Sequence, residues 1–428
     1  MRLRSFLFLQ GVASPFFGRL ADRLLSAGHL VFRVNFNGGD MAYWFGRPSW
    51  RFREKVDELP AFLDKKFRIF GITDIVLFGD RRPVHRLSIE WAKQHGIRIN
   101  VFEEGYFRPY WVTLERDGVN AHSLLPRDPD WYWRVGQGLP DYGTGKPFVS
   151  PFWIRALHEV LYHVASAVNP VFFPGYRTHA PYIAPIAGAG HVRRFAKLRF
   201  HERRDKEALV GLINDSMPYF LLPLQLNSDT QIRDHSSFDG MNGLIEHVMR
   251  SFAHHGPWNG RLLIKNHPLD PGLVNYLKVI RQLERRFDLT GRVHYLETGD
   301  LVTMLHHARG LVTVNSTVGT WAQQLGCPVI ALSNPIYNLP GLTFQGTLDE
   351  FWCNPVPPDA ELFRRFRNTV IHATQVNGGF YSPEGIKMAV QNSLRSLESD
   401  RSPLVLLCHK PISSAIAAMT AGTPRQIV

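Results

Sequence analysis

Short apolar runs, each closed by a polar cluster and followed by an amphipathic stretch, set the rhythm of the first 120 residues. Ser5 to Leu9 ends in Gln10-Gly11, and a helical pattern runs on through Phe17, Leu20, Leu24 and Leu25. Leu30 to Val34 ends in Asn35, Phe36, Asn37, Gly38, Gly39 and Asp40; Asp74 to Phe78 ends in Gly79, Asp80, Arg81, Arg82 and Pro83. Ile97 to Phe102 ends in two adjacent carboxylates, Glu103 and Glu104, and then Gly105. Strands alternating with helices at this spacing predict a parallel, doubly wound sheet. Ligands of such sheets bind beyond the carboxyl ends of the strands. Gln10, Asn35, Asn37, Asp40, Asp80, Glu103 and Glu104 are therefore expected to converge on one cleft.

A second α/β pattern begins after residue 215. Tyr219 to Leu226 reads as a strand ending in Asn227, Ser228 and Asp229, and Leu262 to Lys265 ends in Asn266, His267 and Pro268. Val293 to Leu296, Gly310 to Val314 and Val329 to Leu332 continue it, with helices over Met241 to His254, Val274 to Phe287 and Val318 to Leu325. Phe363 to Asn377 reads as one more helix. The expected fold class is α/β, with two Rossmann-like domains predicted to face across a cleft in the GT-B manner. The first domain spans 1–205, including an aromatic and basic insertion at about 125–205. The second spans 215–375, and 376–428 form a C-terminal segment.

Composition narrows the partners. A length of 428 residues favours two cores over one. The net charge of +12 points to anionic ligands, whether nucleic acid, an acidic membrane surface or small anions. The basic run from Arg193 to Arg204 fits a solvated helix face as well as a membrane-surface patch; no nucleic-acid module accompanies it. Three cysteines without paired spacing suggest a reducing compartment and no disulfide framework. The apolar N-terminal stretch is too short for a signal peptide and reads as a first strand. No run approaches the ~20 apolar residues of a membrane span.

Two adjacent carboxylates at a strand end repel each other, which suggests a task beyond folding, although an acidic turn has the same appearance. In the second half, Lys265, Asn266, His267 and Pro268, with Asn315, Ser316 and Thr317, bring a cation, an imidazole and hydroxyls to strand ends. Such groups neutralise a phosphate leaving group without a metal. A turn histidine capping a backbone group is the plain alternative for His267. Histidine pairs at i,i+4 are lacking at His254-His255 and His306-His307, and GxxxxGK[ST] and strand-linked GxGxxG motifs are missing. Nucleotide hydrolases and dinucleotide oxidoreductases lose support accordingly.

The segments FLQG (Phe8 to Gly11), NFNGGD (Asn35 to Asp40), LFGDRRPVH (Leu77 to His85), VFEEGYFRPYWVTLERDGVN (Val101 to Asn120), PLQLNSD (Pro223 to Asp229), KNHP and VNSTVGTWA (Val314 to Ala322) carry a resemblance through most of the chain. It resembles the capsule polysaccharide biosynthesis proteins of the KpsS/LipB type, a β-Kdo transferase family related to KpsC. The resemblance implies a retaining β-Kdo transferase using CMP-Kdo, with phosphatidylglycerol as lipid acceptor, that starts the poly-Kdo linker of a capsular polysaccharide. It also implies a place in the capsule biosynthesis and export machinery beside a KpsC-like transferase. The protein is then expected in the cytoplasm, peripheral on the inner face of the inner membrane, with no metal cofactor and no nucleic-acid partner. One of Glu103 and Glu104 would serve as nucleophile or base while the other tunes its charge, with Asp80 in reserve; Glu104 is preferred, where relatives often carry Asp. Lys265, Asn266, His267, Pro268, Asn315, Ser316 and Thr317 would hold CMP, with Arg108, Gln10 and Gly11 also on the ligand side. Arg81 and Arg82 add positive charge that suits a sugar carboxylate. Another CMP- or UDP-activated sugar, or a non-catalytic assembly and export scaffold, are the competing expectations.

Overall fold

The computed structural model describes residues 3–177, 201–215, 217–226, 240–270, 272–409 and 411–420. Asn227, Ser228, Asp229 and the basic residues from 193 to 200 lie outside the described residues. The chain divides into two compact units, one formed by 1–126, 130–179 and 365–428, the other by 127–129 and 180–364.

The first unit carries a seven-stranded sheet. Its elements in chain order are β1 (Ser5–Phe8), α1 (Phe16–Ser26), β2 (Leu30–Asn35), α2 (Gly38–Ala42), β3 (Trp50–Arg51), α3 (Leu59–Phe70), β4 (Asp74–Phe78), α4 (Pro83–Gln94), β5 (Arg98–Glu104) and β6 (Trp111–Arg116). Helices α5 (Pro129–Gly138), α6 (Phe152–Ala165) and α7 (Asn169–Phe172) follow. The strand order is β12-β6-β5-β4-β1-β2-β3, where β12 is Gln375–Asn377. Strands β2, β1, β4 and β5 are parallel neighbours, as the apolar runs predict. β1 is buried at every residue because helices cover both of its faces. Phe16 of α1 meets Phe102 and Phe380 edge-on, at 5.1 Å and 4.9 Å between ring centres.

Two expectations need correction here. The parallel series ends at β5: β6 turns back antiparallel, and β12 pairs antiparallel with it, Val376 opposite Val112. Residues 375–377 are therefore a strand and not the end of a helix, because β6 would otherwise leave an unpaired edge. The segment from 365 onward, including the helix Pro383–Glu398, belongs to the first unit. The boundary expected at 375 thus falls inside a returning segment.

The second unit holds a wholly parallel sheet of order β11-β10-β7-β8-β9: β7 (Tyr219–Pro223), β8 (Arg261–Lys265), β9 (Val293–Leu296), β10 (Gly310–Thr313) and β11 (Val329–Ala331). Phe220, Phe252, Phe351 and Trp352 fill its core, and buried Trp352 donates its indole N–H to Ser251 Oγ at 2.7 Å. Both units are Rossmann-like in layer and connection, so the α/β class is the one expected.

Candidate functional site

In the first unit the carboxyl ends of β2, β1, β4 and β5 lie side by side, and the polar residues after them are linked into a network. Gln10, 1% exposed, donates to Asp40 Oδ2 at 3.4 Å and to the hydroxyls of Tyr162 and Tyr176. Asn37 caps α2 by accepting the Asp40 N–H, and its amide donates to Tyr162. Asp40 forms a buried ion pair with Arg33 at 3.2 Å, and Arg33 also donates to Asn35. Arg82 reaches the Gly11 carbonyl at 3.0 Å, joining the β4 end to the β1 end. Gln10, Asn35, Asn37, Asp40 and Gly11 are thus brought together, as parts of a self-bonded floor.

Asp80, Glu103 and Glu104 stand along the same edge in three different settings. Asp80 is 6% exposed, and its Oδ2 accepts the Val119 N–H at 3.3 Å and faces His122 Nδ1 at 2.9 Å. Glu103 and Glu104 sit inside the β5–β6 ladder, opposite Thr113 and Val112, rather than in a turn beyond it. Successive strand residues leave the backbone on opposite sides, yet at this strand end both carboxylates still act electrostatically on Arg155 and on each other. Glu103 accepts the Glu104 N–H at 2.9 Å. Burial pushes its carboxyl up to about 7; the bond from Glu104 opposes this, and the neighbouring Glu104 charge adds to it. Glu104 instead has a counter-ion, Arg155 of α6, at 3.3 Å, and lies within 3.4 Å of the Tyr381 hydroxyl. Arg155 also covers the Tyr381 ring at 4.8 Å. Burial first, and Glu104 second, raise the Tyr381 phenol well above its ordinary value.

The rest of the Val101–Asn120 stretch braces this edge. At Gly105 a side chain would begin 2.0 Å from the Trp111 carbonyl, so only glycine allows the chain to reverse into β6 there. Glu115 accepts the Tyr106 hydroxyl at 2.6 Å and the Ser123 hydroxyl, while Tyr106 OH accepts the Asn120 N–H. Thr113 Oγ1 donates to the Glu104 carbonyl at 3.1 Å. Arg108 is exposed in the connection between β5 and β6.

A group whose folded pKa is raised from 4.5 to about 7 is stabilising in its protonated form. That contribution is complete below pH 4.5 and is lost as pH rises through 7. Glu103→Gln is accordingly expected to stabilise the chain by about 3 kcal/mol at pH 8, with almost no difference from wild type at pH 4. Denaturant melts at the two pH values measure it. Equal stabilities at pH 8 would show that Glu103 is not a strained carboxylate.

In the second unit the carboxyl ends of β7, β8, β9 and β10 carry the other candidates. Lys265 is buried and donates from Nζ to the Asn266 carbonyl at 3.1 Å. Asn266 donates to Glu297 at 2.9 Å and Asp270 at 3.3 Å and accepts the His267 N–H, which makes it a brace of this turn. His267 accepts the Leu269 N–H through Nδ1 at 3.1 Å, which places the proton of a neutral ring on Nε2; Pro268 is exposed in the same turn. Asn315 accepts from Gln225 at 3.0 Å, linking the β10 and β7 ends. Ser316 Oγ accepts the Val318 N–H at 3.2 Å, whereas Thr317, at the cap position of the following helix, makes no side-chain cap bond. Tyr337 donates to the Ser316 carbonyl at 2.6 Å.

Several residues of these clusters escape a reading of strand ends: Arg155, Tyr162 and Tyr381 from helices and turns far along the chain, His122 beside Asp80, and Gln225 and Tyr337 in the second unit. Arg155 and Tyr162 recur on one face of the aromatic segment, a signal hidden by its general apolarity.

The chain matches the family model described as capsule polysaccharide biosynthesis protein over residues 73–381. It is 36% identical over 383 residues to the capsule polysaccharide export protein KpsS of Escherichia coli, covering 88% of this chain and 97% of that one. It is also 36% identical over 387 residues to the capsule polysaccharide modification protein LipB of Neisseria meningitidis serogroup B, covering 88% and 91%. Among solved structures, the β-Kdo 2,7 transferase of Thermosulfurimonas dismutans KpsC aligns with 91% of this chain and 98% of its own, at 13% identity and a TM-score of 0.41. With most of its length matched at this identity, the chain belongs to the capsule polysaccharide biosynthesis family.

Proposed function

We propose that this family member is a retaining glycosyltransferase that moves Kdo from CMP-Kdo to phosphatidylglycerol, starting the linker on which a capsular polysaccharide is built. The observation that carries the reading is the unequal pair at the end of β5: Glu104 with Arg155 as counter-ion, Glu103 with a carboxyl near neutrality. Retention by two displacements needs a carboxylate that attacks and a second group that exchanges a proton. In the proposed sequence, a Glu104 carboxylate oxygen bonds to the anomeric carbon as the bond to the CMP phosphate breaks. The acceptor hydroxyl then displaces Glu104 with inversion, and its proton passes to Glu103, whose value near 7 suits a base at neutral pH. Lys265 and His267 are assigned to the departing phosphate in place of a metal, with Asn315, Ser316 and Thr317 beside them.

The deciding experiment offers CMP-Kdo and a soluble phosphatidylglycerol analogue to the purified chain and reads the linkage by NMR. Product with another CMP- or UDP-sugar alone would replace the donor, and no product with any donor would favour an assembly and export scaffold. His267→Ala is expected to weaken CMP binding about tenfold by calorimetry, the worth of one charge-assisted hydrogen bond. Unchanged affinity would remove His267 from the phosphate site.

A further inference from the structure

Helix α6 presents two unlike faces. Its inner face is fixed to the sheet edge: Arg155 pairs with Glu104, His158 Nδ1 meets the Tyr43 hydroxyl at 2.8 Å, and Tyr162 donates to Asp40 at 3.2 Å. The approach of α2 is so close that a side chain at Gly38 would begin 2.1 Å from the Ala165 carbonyl, and one at Gly39 would begin 2.6 Å from the Tyr162 ring. The Gly-Gly pair thus serves packing of α6 and holds its orientation.

The outer face is apolar and, among the described residues, uncovered. Trp153, Leu157, Val160 and Val164 recur at helical spacing and are 64%, 47%, 58% and 66% exposed; Val171 of α7 continues the stripe at 69%. At 1.5 Å per residue the helix alone presents a band roughly 20 Å long. Single exposed apolar residues are ordinary on a protein surface, but a continuous stripe marks an interaction site. Its far end is rimmed by cations: exposed Arg51 stands 5.7 Å over the Phe172 ring, exposed Arg53 donates to the Val171 carbonyl at 3.4 Å, and Arg177 is exposed beyond them.

We infer that α6 and α7 lay this stripe on the surface of an anionic lipid bilayer. An apolar helix face sinks into the acyl boundary, an aromatic side chain such as Trp153 sits at headgroup depth, and arginines at the rim meet lipid phosphates. The charge of the rim matches that of the surface, which an uncharged apolar protein groove would not supply. The inference stands on the faces of α6 and not on the donor or acceptor proposed above.

Flotation of the purified full chain with vesicles tests it in the absence of any sugar donor. Binding is expected to vesicles of phosphatidylglycerol mixed with phosphatidylcholine, weakening with salt and on phosphatidylcholine alone. Val160→Glu with Val164→Glu should lower the affinity on the order of a hundredfold, since two carboxylates then face hydrocarbon. Trp153→Ser with Leu157→Ser gives a milder loss, should the first pair unfold the chain as judged by circular dichroism. Failure of the wild type to float with anionic vesicles overturns the inference. So does undiminished binding of the folded variants, or self-association that these substitutions abolish while vesicle binding persists.

Discussion

Glu104→Gln is expected to lower the rate of transfer from CMP-Kdo by about three orders of magnitude, a loss of roughly 4 kcal/mol in the barrier. The amide keeps the shape and the backbone bond from Thr113, so the ladder between β5 and β6 survives. What disappears is the charge facing Arg155 and the oxygen able to form a covalent bond to the sugar. CMP affinity should stay nearly constant, because the groups assigned to CMP lie in the second unit. Glu103→Gln is expected to behave differently. Its rate falls less, and the limb of the pH–rate profile near 7 disappears, because the proton acceptor that titrates there has been removed. A profile unchanged by Glu103→Gln, together with full activity of Glu104→Gln, would place the chemistry elsewhere. If Glu103→Gln alone abolishes transfer, the two roles are exchanged.

How much of this could be read from the chain depends on how local each interaction is. β1, β2, β4 and β5 announce themselves because a strand covered on both faces is a plain apolar run, and their following polar residues mark the edge where ligands bind. The same reading stops at β6. Trp111–Arg116 pairs with Gln375–Asn377, and nothing within 260 residues indicates that partner. The acidic pair was legible as a candidate, but the difference between its members was not. Glu103 owes its carboxyl near 7 to burial, and Glu104 owes its counter-ion to Arg155, some 50 residues downstream on a helix that reads as simply aromatic. Long-range contacts of this kind leave no period in the sequence. Asn266 shows the converse: the KNHP turn catches the eye, yet its amide is committed to Glu297 and Asp270.

Asp74→Ala is expected to cost about 3–5 kcal/mol of stability and to lower the melting temperature by on the order of 10 °C. Asp74 begins β4 at the end of the sheet opposite the carboxylate pair and is fully buried. Arg98 pairs with it at 2.6 Å, Arg4 and Arg116 stand at 3.9 Å, and Thr73 and Asn100 donate to its oxygens. The same arginines hold the C-terminal segment. Arg4 donates to the Glu398 carbonyl, Arg98 to Ser399, and Arg116 to Ser396 and Ser399, so guanidinium groups gather where the helix Pro383–Glu398 ends. Removing this buried carboxylate leaves those charges crowded with the exposed Asp400, which pairs with Arg4 at 2.6 Å and stands 4.0 Å from Arg98, and burial already disfavours the charged form of Arg116. Coupling follows from that arrangement. Arg116→Met combined with Asp74→Ala should recover part of the loss, since it removes a largely buried cation that Asp74 had compensated, and a double-mutant cycle measures the difference. Strict additivity of the two substitutions, or a loss below about 1 kcal/mol for Asp74→Ala, would show that the ionic cluster does not fasten the returning segment to the sheet.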